Sequence, residues 1–383
     1  MSEDKLKALR SQIDKIDAEL VPLFCKRMDT ALKVALYKKE NDIPIFDAER
    51  EKAIIESLAG SAGKYKGYAS VLYGTLMDLS RALQHDVIYS VPTDSNKETI
   101  QFDASLPCRV ACFGREGAYA HIAACNMFKS AEIEFFPTFS DTAAALLNGT
   151  NFDYAVMPVE NSTAGSVLEV YDILINNPLY IVAGIEIPVI HCLLGVSGST
   201  EDTVKTVYSH KQALSQCSEF IKAHGMQQIE ELSTASAAFM VSKENDISIG
   251  AIASKMAASK YGLNIIKEGI QNTSNNSTRF VALSRRLSSS RDADKISIVF
   301  SLDHQPGTLY RTLARFAALG LNLTKIESRP KHDGKFEYMF YLDFTGNIHR
   351  EETGRLLSAL KSEMQDFKVL GNYKDSHMSK DLK

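Results

Sequence analysis

PVENSTAGSV, residues 158–167, lies between an apolar run ending at Met157 and the segment LEVYDILI. The run Tyr154 to Met157 reads as a buried strand, and Val167 to Ile175 as a helix. Asn161, Ser162, Thr163 and Ser166 thus crowd one strand-to-helix turn with Gly165. Such a turn brings hydroxyls, an amide and free backbone N–H groups to the carboxyl end of a strand, where open α/β folds bind anionic ligands. The plainer reading is that Asn161 to Thr163 cap the helix that follows.

Outward from that turn the same alternation continues. RVACFG, IEFFPTF, TVYSH, ISIGAIAS, LNIIKEG and RFVALSR read as strands, separated by helical stretches such as AYAHIAACNMF, DTAAALLNG and KQALSQCSEFIKAHG. This order predicts a mostly parallel α/β architecture over residues 106–285. The apolar run 181–195 reads as one long strand crossing between two lobes, with the ligand cleft between them. From Lys295 to about residue 374 a shorter unit reads β-α-β-β-α-β, a ferredoxin-like α+β order.

The N-terminal region, 1–90, is all helical by period. Leu6, Leu9, Ile13, Ile16, Leu20, Leu23, Phe24, Leu32 and Leu36 space one long helix over 4–40, with Pro22 inside it to bend it near Ala18. Further helices are predicted from Asp47 and over 68–87. Three helices of such unequal length cannot cover their own apolar faces, so a homodimer, or dimers paired into a tetramer, is expected. The polar stretch 90–105 reads as a linker.

A chain of 383 residues with 45% hydrophobic and 23% charged residues suits two or three cored domains. A net charge of −4 argues against a nucleic-acid partner and leaves room for small anions in local cationic pockets. The six cysteines show no C-x-x-C pair and no metal-ligand spacing, so reduced thiols and no metal are expected. MSEDKLKALR lacks the apolar core of a signal peptide, and no apolar run of about 18 residues is present, so a cytoplasmic protein without a membrane span is expected.

Several polar residues stand at spacings that suggest chemistry. Arg27 and Lys38 lie 11 residues apart on one helix face, about 16 Å along the axis, within reach of one small dianion. Arg10 lies about 25 Å from Arg27 and can join them only from a second, antiparallel chain. Asp47, Arg50 and Glu51 share a face at i, i+3 and i+4, and Ser80 and Gln84 at i and i+4. Taken singly, each is an ordinary surface charge or polar residue. Together, Arg10 in LKALRSQID, Arg27 in CKRMD, Lys38 in LYKKE, DAERE at 47–51 and SRALQ at 80–84 resemble the all-helical chorismate mutases over roughly residues 1–90. The resemblance implies that Arg10 of the partner chain, Arg27 and Arg50 hold carboxylates, and that Lys38 and Gln84 face the ether oxygen. Asp47, Glu51 and Ser80 then position the ring hydroxyl or the helices.

In the α/β region, FGREGAYAH, YSHKQALSQC with Ser209, His210, Gln212 and Gln216, LSTASAA with Ser233, Thr234 and Ser236, and NNSTRF with Thr278, Arg279 and Phe280 each read alone as a turn or cap. With PVENS they resemble prephenate dehydratase, with Lys211 as a departure where the family has proline. That implies a two-lobed, periplasmic-binding-protein-like fold acting on prephenate, with Thr278 donating to the departing hydroxyl. Asn161, Ser162, Thr163, Gly165, Ser209, Gln212, Gln216 and Phe280 are then expected at the substrate. Arg279 is expected to offset a carboxylate or tie the two lobes together, and Glu160 to anchor the turn. In the last unit, Gly307, Thr308 and Leu309 in PGTLY and Glu327, Ser328, Arg329 and Pro330 in ESRP resemble an ACT domain, with Thr308 in place of the usual alanine. Phenylalanine is the implied effector, and no cofactor is implied. Two rivals remain open at this point: a non-catalytic amino-acid-sensing or solute-binding protein, and a dehydratase acting on arogenate.

Overall fold

A computed structural model describes residues 2–88, 102–149, 151–302, 304–330 and 338–378. Most of the expected linker, residues 90–101, lies outside the described residues. The chain divides into two compact units: Met1–Lys97 with Val299–Phe367, and Glu98–Ile298 with Lys368–Lys383.

Helix α1, Ser2–Glu40, runs unbroken through Pro22, whose missing N–H removes one bond without ending the helix. Helix α2, Ala48–Ser61, starts on Asp47, whose side chain accepts the Arg50 N–H at 3.0 Å. Helix α3 is Lys66–Ile88. The far half of α1 keeps its apolar stripe in the open within one chain, with Ile16 60% and Leu23 65% exposed.

The second unit begins with β1 Cys108–Phe113, α4 Tyr119–Met127, β2 Ala131–Phe136 and α5 Phe139–Asn148. It continues through β3 Tyr154–Asn161, β4 Gly165–Ser166, α6 Leu168–Asn176 and β5 Tyr180–Pro188, which complete the first lobe apart from its returning strand. The second lobe holds β6 Cys192–Gly195, β7 Thr206–Ser209, α7 Lys211–Gln216, α8 Ser218–Ala223 and β8 Gln227–Glu230. It closes with α9 Thr234–Glu244, β9 Ile249–Ala253, α10 Lys255–Tyr261 and β10 Asn264–Glu268, and β11 Ser277–Ser284 then returns to the first lobe. The sheet orders are β5–β11–β3–β1–β2 and β10–β6–β9–β7–β8. Val110, Cys112, Val156, Ile185 and Ala282 anchor the first core, and Leu194, Val241, Ala251 and Ala258 the second.

Three sequence expectations change here. The sheets are mixed rather than mostly parallel, because the strands that return or cross between the lobes run against their neighbours: β11 is antiparallel to β3 and β5, and β6 to β9 and β10. The run 181–195 is two strands on two sheets, broken after Pro188, and Val189–His191 crosses between the lobes. Proline has no N–H to extend the ladder, which suits the end of β5. Residues 161–163 do not cap α6. Its N-cap is Val167, without a side-chain hydrogen bond, and the two-residue β4 intervenes, paired back onto Glu160 and Asn161.

The C-terminal segments are β12 Lys295–Leu302, α11 Thr308–Ala318, β13 Leu323–Pro330, β14 Tyr338–Thr345, α12 Glu351–Glu363 and β15 Gln365–His377, in the expected β-α-β-β-α-β order. The unit boundaries fall inside β12 and β15. In the second unit, Gly371–His377 of β15 run parallel to β5. In the first, α3 packs on α11 and α12.

Candidate active sites

The base of the cleft is a cluster of uncharged side chains. β3 and β11 are antiparallel, and their register sets Asn161 opposite Thr278 and Glu160 opposite Arg279. Successive strand residues face opposite sides, so these pairs point to opposite faces. Asn161 Oδ1 closes the turn by accepting the N–H groups of Thr163 and Ala164 at 3.1 and 2.9 Å. It also accepts the Thr163 hydroxyl at 2.7 Å. Its Nδ2 donates to Thr278 Oγ1 and Asn276 Oδ1, both at 2.9 Å. From the second lobe, Gln216 Nε2 donates to Thr163 Oγ1 at 3.0 Å, and Gln212 Nε2 lies 3.4 Å from Asn161 Oδ1. One amide cluster therefore joins both lobes.

The other expected residues fall around it. Ser162 accepts the Ser277 N–H at 2.9 Å, and Gly165 holds a φ of +81° in open space. Ser209 is fully buried and donates to the Ile252 carbonyl at 2.5 Å. His210 caps α7, its Nδ1 accepting the Gln212 N–H. Ser233 caps α9 and bonds Ser236, and Thr234 opens that helix. Phe280 is buried in β11. Of the two roles expected for Arg279, the contacts seen are with carboxylates. It faces away from Thr278 and lies 3.7 Å from Glu160 and 3.5 Å from Asp375, because strand alternation turns it to the other side. Besides the amide cluster, the lobes meet at the β1–α4 turn. Gly117, at φ +85°, sits so close to α10 that a Cβ would stand 2.9 Å from Ala257 Cα. Ser254 Oγ and Tyr261 OH donate to the carbonyls of Gly117 and Glu116 at 2.7 and 2.6 Å.

In the helical unit, Arg27 donates to Ser80 Oγ at 2.5 Å and to the Leu76 carbonyl at 3.3 Å. Lys38 Nζ donates to the Ile45 carbonyl at 2.6 Å. Gln84 is buried, and its Oε1 has no hydrogen-bond partner among the described residues. Glu51 turns to Arg81 at 3.3 Å, whereas Asp47 serves as the cap and Arg50 is exposed. Burial raises the Glu51 and Asp78 carboxyls above their ordinary pKa, against the opposing Arg81 and Arg311 charges. Arg10 is exposed on the far half of α1.

Residues 110–288 match the prephenate dehydratase family, 9–85 chorismate mutase type II and 296–362 the ACT domain. The bifunctional chorismate mutase/prephenate dehydratase of Aquifex aeolicus is 35% identical over 375 residues, spanning 97% of this chain and 98% of its own. The chain belongs to the bifunctional chorismate mutase/prephenate dehydratases. Arogenate dehydratase/prephenate dehydratase 1 of Arabidopsis thaliana is 38% identical over 315 residues, 77% of this chain and 76% of that protein. The crystal structure of prephenate dehydratase from Arthrobacter aurescens in complex with L-Phe superposes with a TM-score of 0.63 at 26% identity, covering 70% of this chain and 89% of that one.

In the ACT segment, Gly307 at φ +83° precedes α11, and Leu309 lies in its first turn. The Thr308 hydroxyl is used locally, donating to the Gln305 carbonyl at 2.9 Å. On β13, Glu327 and Arg329 share one face, with Glu327 3.6 Å from Lys325, while Ser328 and Pro330 turn to the other. Residues 331–337, beyond ESRP, lie outside the described residues. Sequence reading passed over His191, Asn276 and Tyr119. Asn276 stood inside the quoted NNSTRF stretch, and His191 was the one polar side chain between Pro188 and Gly195.

Proposed function

We propose that Thr278 is the hydrogen-bond donor to the hydroxyl that leaves prephenate. The observation behind this is the polarity of its side-chain contact with Asn161. Asn161 Nδ2 donates to Thr278 Oγ1 at 2.9 Å, so the hydroxyl accepts there and keeps its own proton for a ligand. The chain rearranges chorismate to prephenate in its helical part, then decarboxylates and dehydrates prephenate to phenylpyruvate in its two-lobed part. As the carboxylate leaves as CO₂, its bonding electrons aromatise the ring and expel the hydroxyl. The Thr278 hydrogen bond steadies the charge growing on that oxygen, which leaves as water with a proton from solvent. Asn161, Thr163, Gln212 and Gln216 form the neutral wall that holds the substrate.

Chorismate rearrangement needs no nucleophile, only the dianion folded into its reactive shape and hydrogen bonds to the breaking ether. Arg27, Lys38, Gln84 and Ser80 line that site, and Arg10 of a second chain completes it. The uncovered apolar half of α1 supports the homodimer this requires. Phenylalanine binds around 307–309 and 327–330 and lowers dehydratase turnover by favouring a less active state. The work is done in the cytoplasm. A second reading, arogenate as a dehydratase substrate, draws on the Arabidopsis relative, whose name carries both activities.

Purified protein given chorismate should accumulate phenylpyruvate, and prephenate should be preferred to arogenate when the two are compared. Thr278→Ala should lose dehydratase activity by two orders of magnitude or so and keep mutase activity. No turnover of chorismate or prephenate would sink the reading, and joint loss of both activities in Thr278→Ala would refute separate sites.

A further inference from the structure

Three backbone contacts fix the orientation of Asn161 and, through it, of the Asn276 and Gln216 amides. Asn161 Oδ1 faces the N–H groups of Thr163 and Ala164, and its Nδ2 faces the Ser277 carbonyl at 3.1 Å. Backbone N–H groups only donate and carbonyls only accept, so this amide has one orientation. Asn161 Nδ2 then donates to Asn276 Oδ1, which turns Asn276 Nδ2 to Gln216 Oε1 at 3.0 Å. That same Gln216 oxygen lies 2.9 Å from His191 Nε2. An amide oxygen cannot donate, so His191 carries its proton on Nε2.

We propose that His191 is a positioning residue of the dehydratase, whose neutral Nε2–H form holds Gln216 in place, so that its amide meets Thr163 beside Asn161 and the Thr278 donor. The inference rests on Thr278 as the donor. The hydrogen bonds run one way along this path: His191 to Gln216, Gln216 to Thr163, Thr163 to Asn161, Asn161 to Thr278. The ring is 2% exposed, and its Nδ1 is buried without a hydrogen-bond partner among the described residues. A proton on Nδ1 would therefore put a charged donor where no acceptor waits. Burial also holds the imidazole below its ordinary pKa, against the opposing Gln216 hydrogen bond. The residue stands on the Val189–His191 crossover, and its backbone N–H donates to Gln271 Oε1 at 3.0 Å. Tyr119 lies edge-on to the ring at 6.0 Å and donates to the Ile190 carbonyl at 2.6 Å. Without a donor at 191, the Gln216 oxygen keeps only the Asn276 N–H; the amide keeps its orientation but is held by one bond fewer, and its contact with Thr163 loosens.

Full-length His191→Leu should lose roughly tenfold or more in dehydratase kcat, with KM for prephenate within about twofold and mutase rates unchanged. His191→Gln, which can offer an amide N–H near the Nε2 position, should recover most of that loss. Nitrogen-15 spectra of the histidine-labelled wild-type chain at neutral pH should show a neutral Nε2–H histidine that is absent from His191→Gln. An Nδ1–H or doubly protonated His191 would overturn the proposal without any variant. A Leu variant with wild-type kcat, or with a loss confined to KM, would overturn it even where Thr278→Ala is inactive. If Thr278→Ala itself still turns over prephenate, the donor assignment fails first, and this proposal with it.

Discussion

Glu363, the last residue of α12, accepts hydrogen bonds from the two terminal Arg315 guanidinium nitrogens, at 2.7 and 3.3 Å, and lies 3.2 Å from His85 Nε2. Burial alone would raise its pKa. The His85 hydrogen bond and the Arg315 and Arg81 charges outweigh burial and hold the carboxyl at about 2, against an ordinary 4.5. That difference favours the ionised form by about 3 kcal/mol. Arg315 has a side chain 5% exposed, and removing one partner of a buried pair costs about 3–5 kcal/mol. The two figures agree, so Glu363→Gln should destabilise the helical and ACT unit by about 3 kcal/mol at pH 7.

The pH dependence has a definite sign. A carboxyl whose folded pKa is depressed stabilises fully above its unfolded value and loses that contribution as pH falls through the folded one. The gap between wild type and Glu363→Gln should therefore be full at neutral pH and narrow as pH falls from about 4.5 toward 2. Urea unfolding followed by far-UV circular dichroism measures this gap. Mutase activity should fall with it, because α3 carries Ser80 and Gln84 as well as His85, while prephenate turnover should stay at the wild-type rate. Equal urea midpoints at pH 7, or a gap that widens on acidification, would refute the reasoning.

Three further outcomes follow from the geometry. Gly117→Ala should push α10 from the β1–α4 turn, costing about 1–3 kcal/mol and raising KM for prephenate with the mutase intact, as steady-state kinetics of both reactions will show. Arg10→Ala and Lys38→Ala chains, each inactive as mutases, should regain activity when mixed and refolded together; equal inactivity would argue against Arg10 acting across the dimer. Glu327→Ala should raise the phenylalanine concentration needed for half-inhibition of the dehydratase severalfold, read from inhibition curves; unchanged sensitivity would place the effector elsewhere.

The architecture was largely legible in periodicity. The period changes after the third helix, and strand and helix then alternate, which is enough to expect two lobes and a closing α+β unit. What escaped depended on contacts distant in sequence. The helix-cap reading of Asn161 to Thr163 failed because the Asn161 oxygen satisfies the turn's own N–H groups, and the chain makes a two-residue strand before α6 begins. The run 181–195 is apolar throughout, so nothing in its period marks the change of sheet, and only Pro188 hints at it. β8, Gln227–Glu230, was missed because all four residues are exposed and carry no apolar alternation. The individual site residues came from resemblance rather than period. His191 looked like part of a buried strand, and its partner Gln216 is 25 residues away on another lobe.

The strand register explains how a site for a dianion can be lined with neutral groups. Asn161 and Thr278 face the cleft, while their neighbours Glu160 and Arg279 pair on the opposite face, where Asp375 and Lys295 extend the ion cluster. A carboxylate beside the departing hydroxyl would compete for the Thr278 proton and repel the substrate. A strong acid there would gain little, since aromatisation already drives the hydroxyl out. A hydroxyl held as an acceptor by an amide of fixed orientation answers both constraints. In the proposed role it donates one hydrogen bond at the oxygen where charge grows and offers no base. The one-residue step from Thr278 to Arg279 thus separates the charges that hold β3 against β11 from the neutral side chains on the cleft face, where the proposed donor stands.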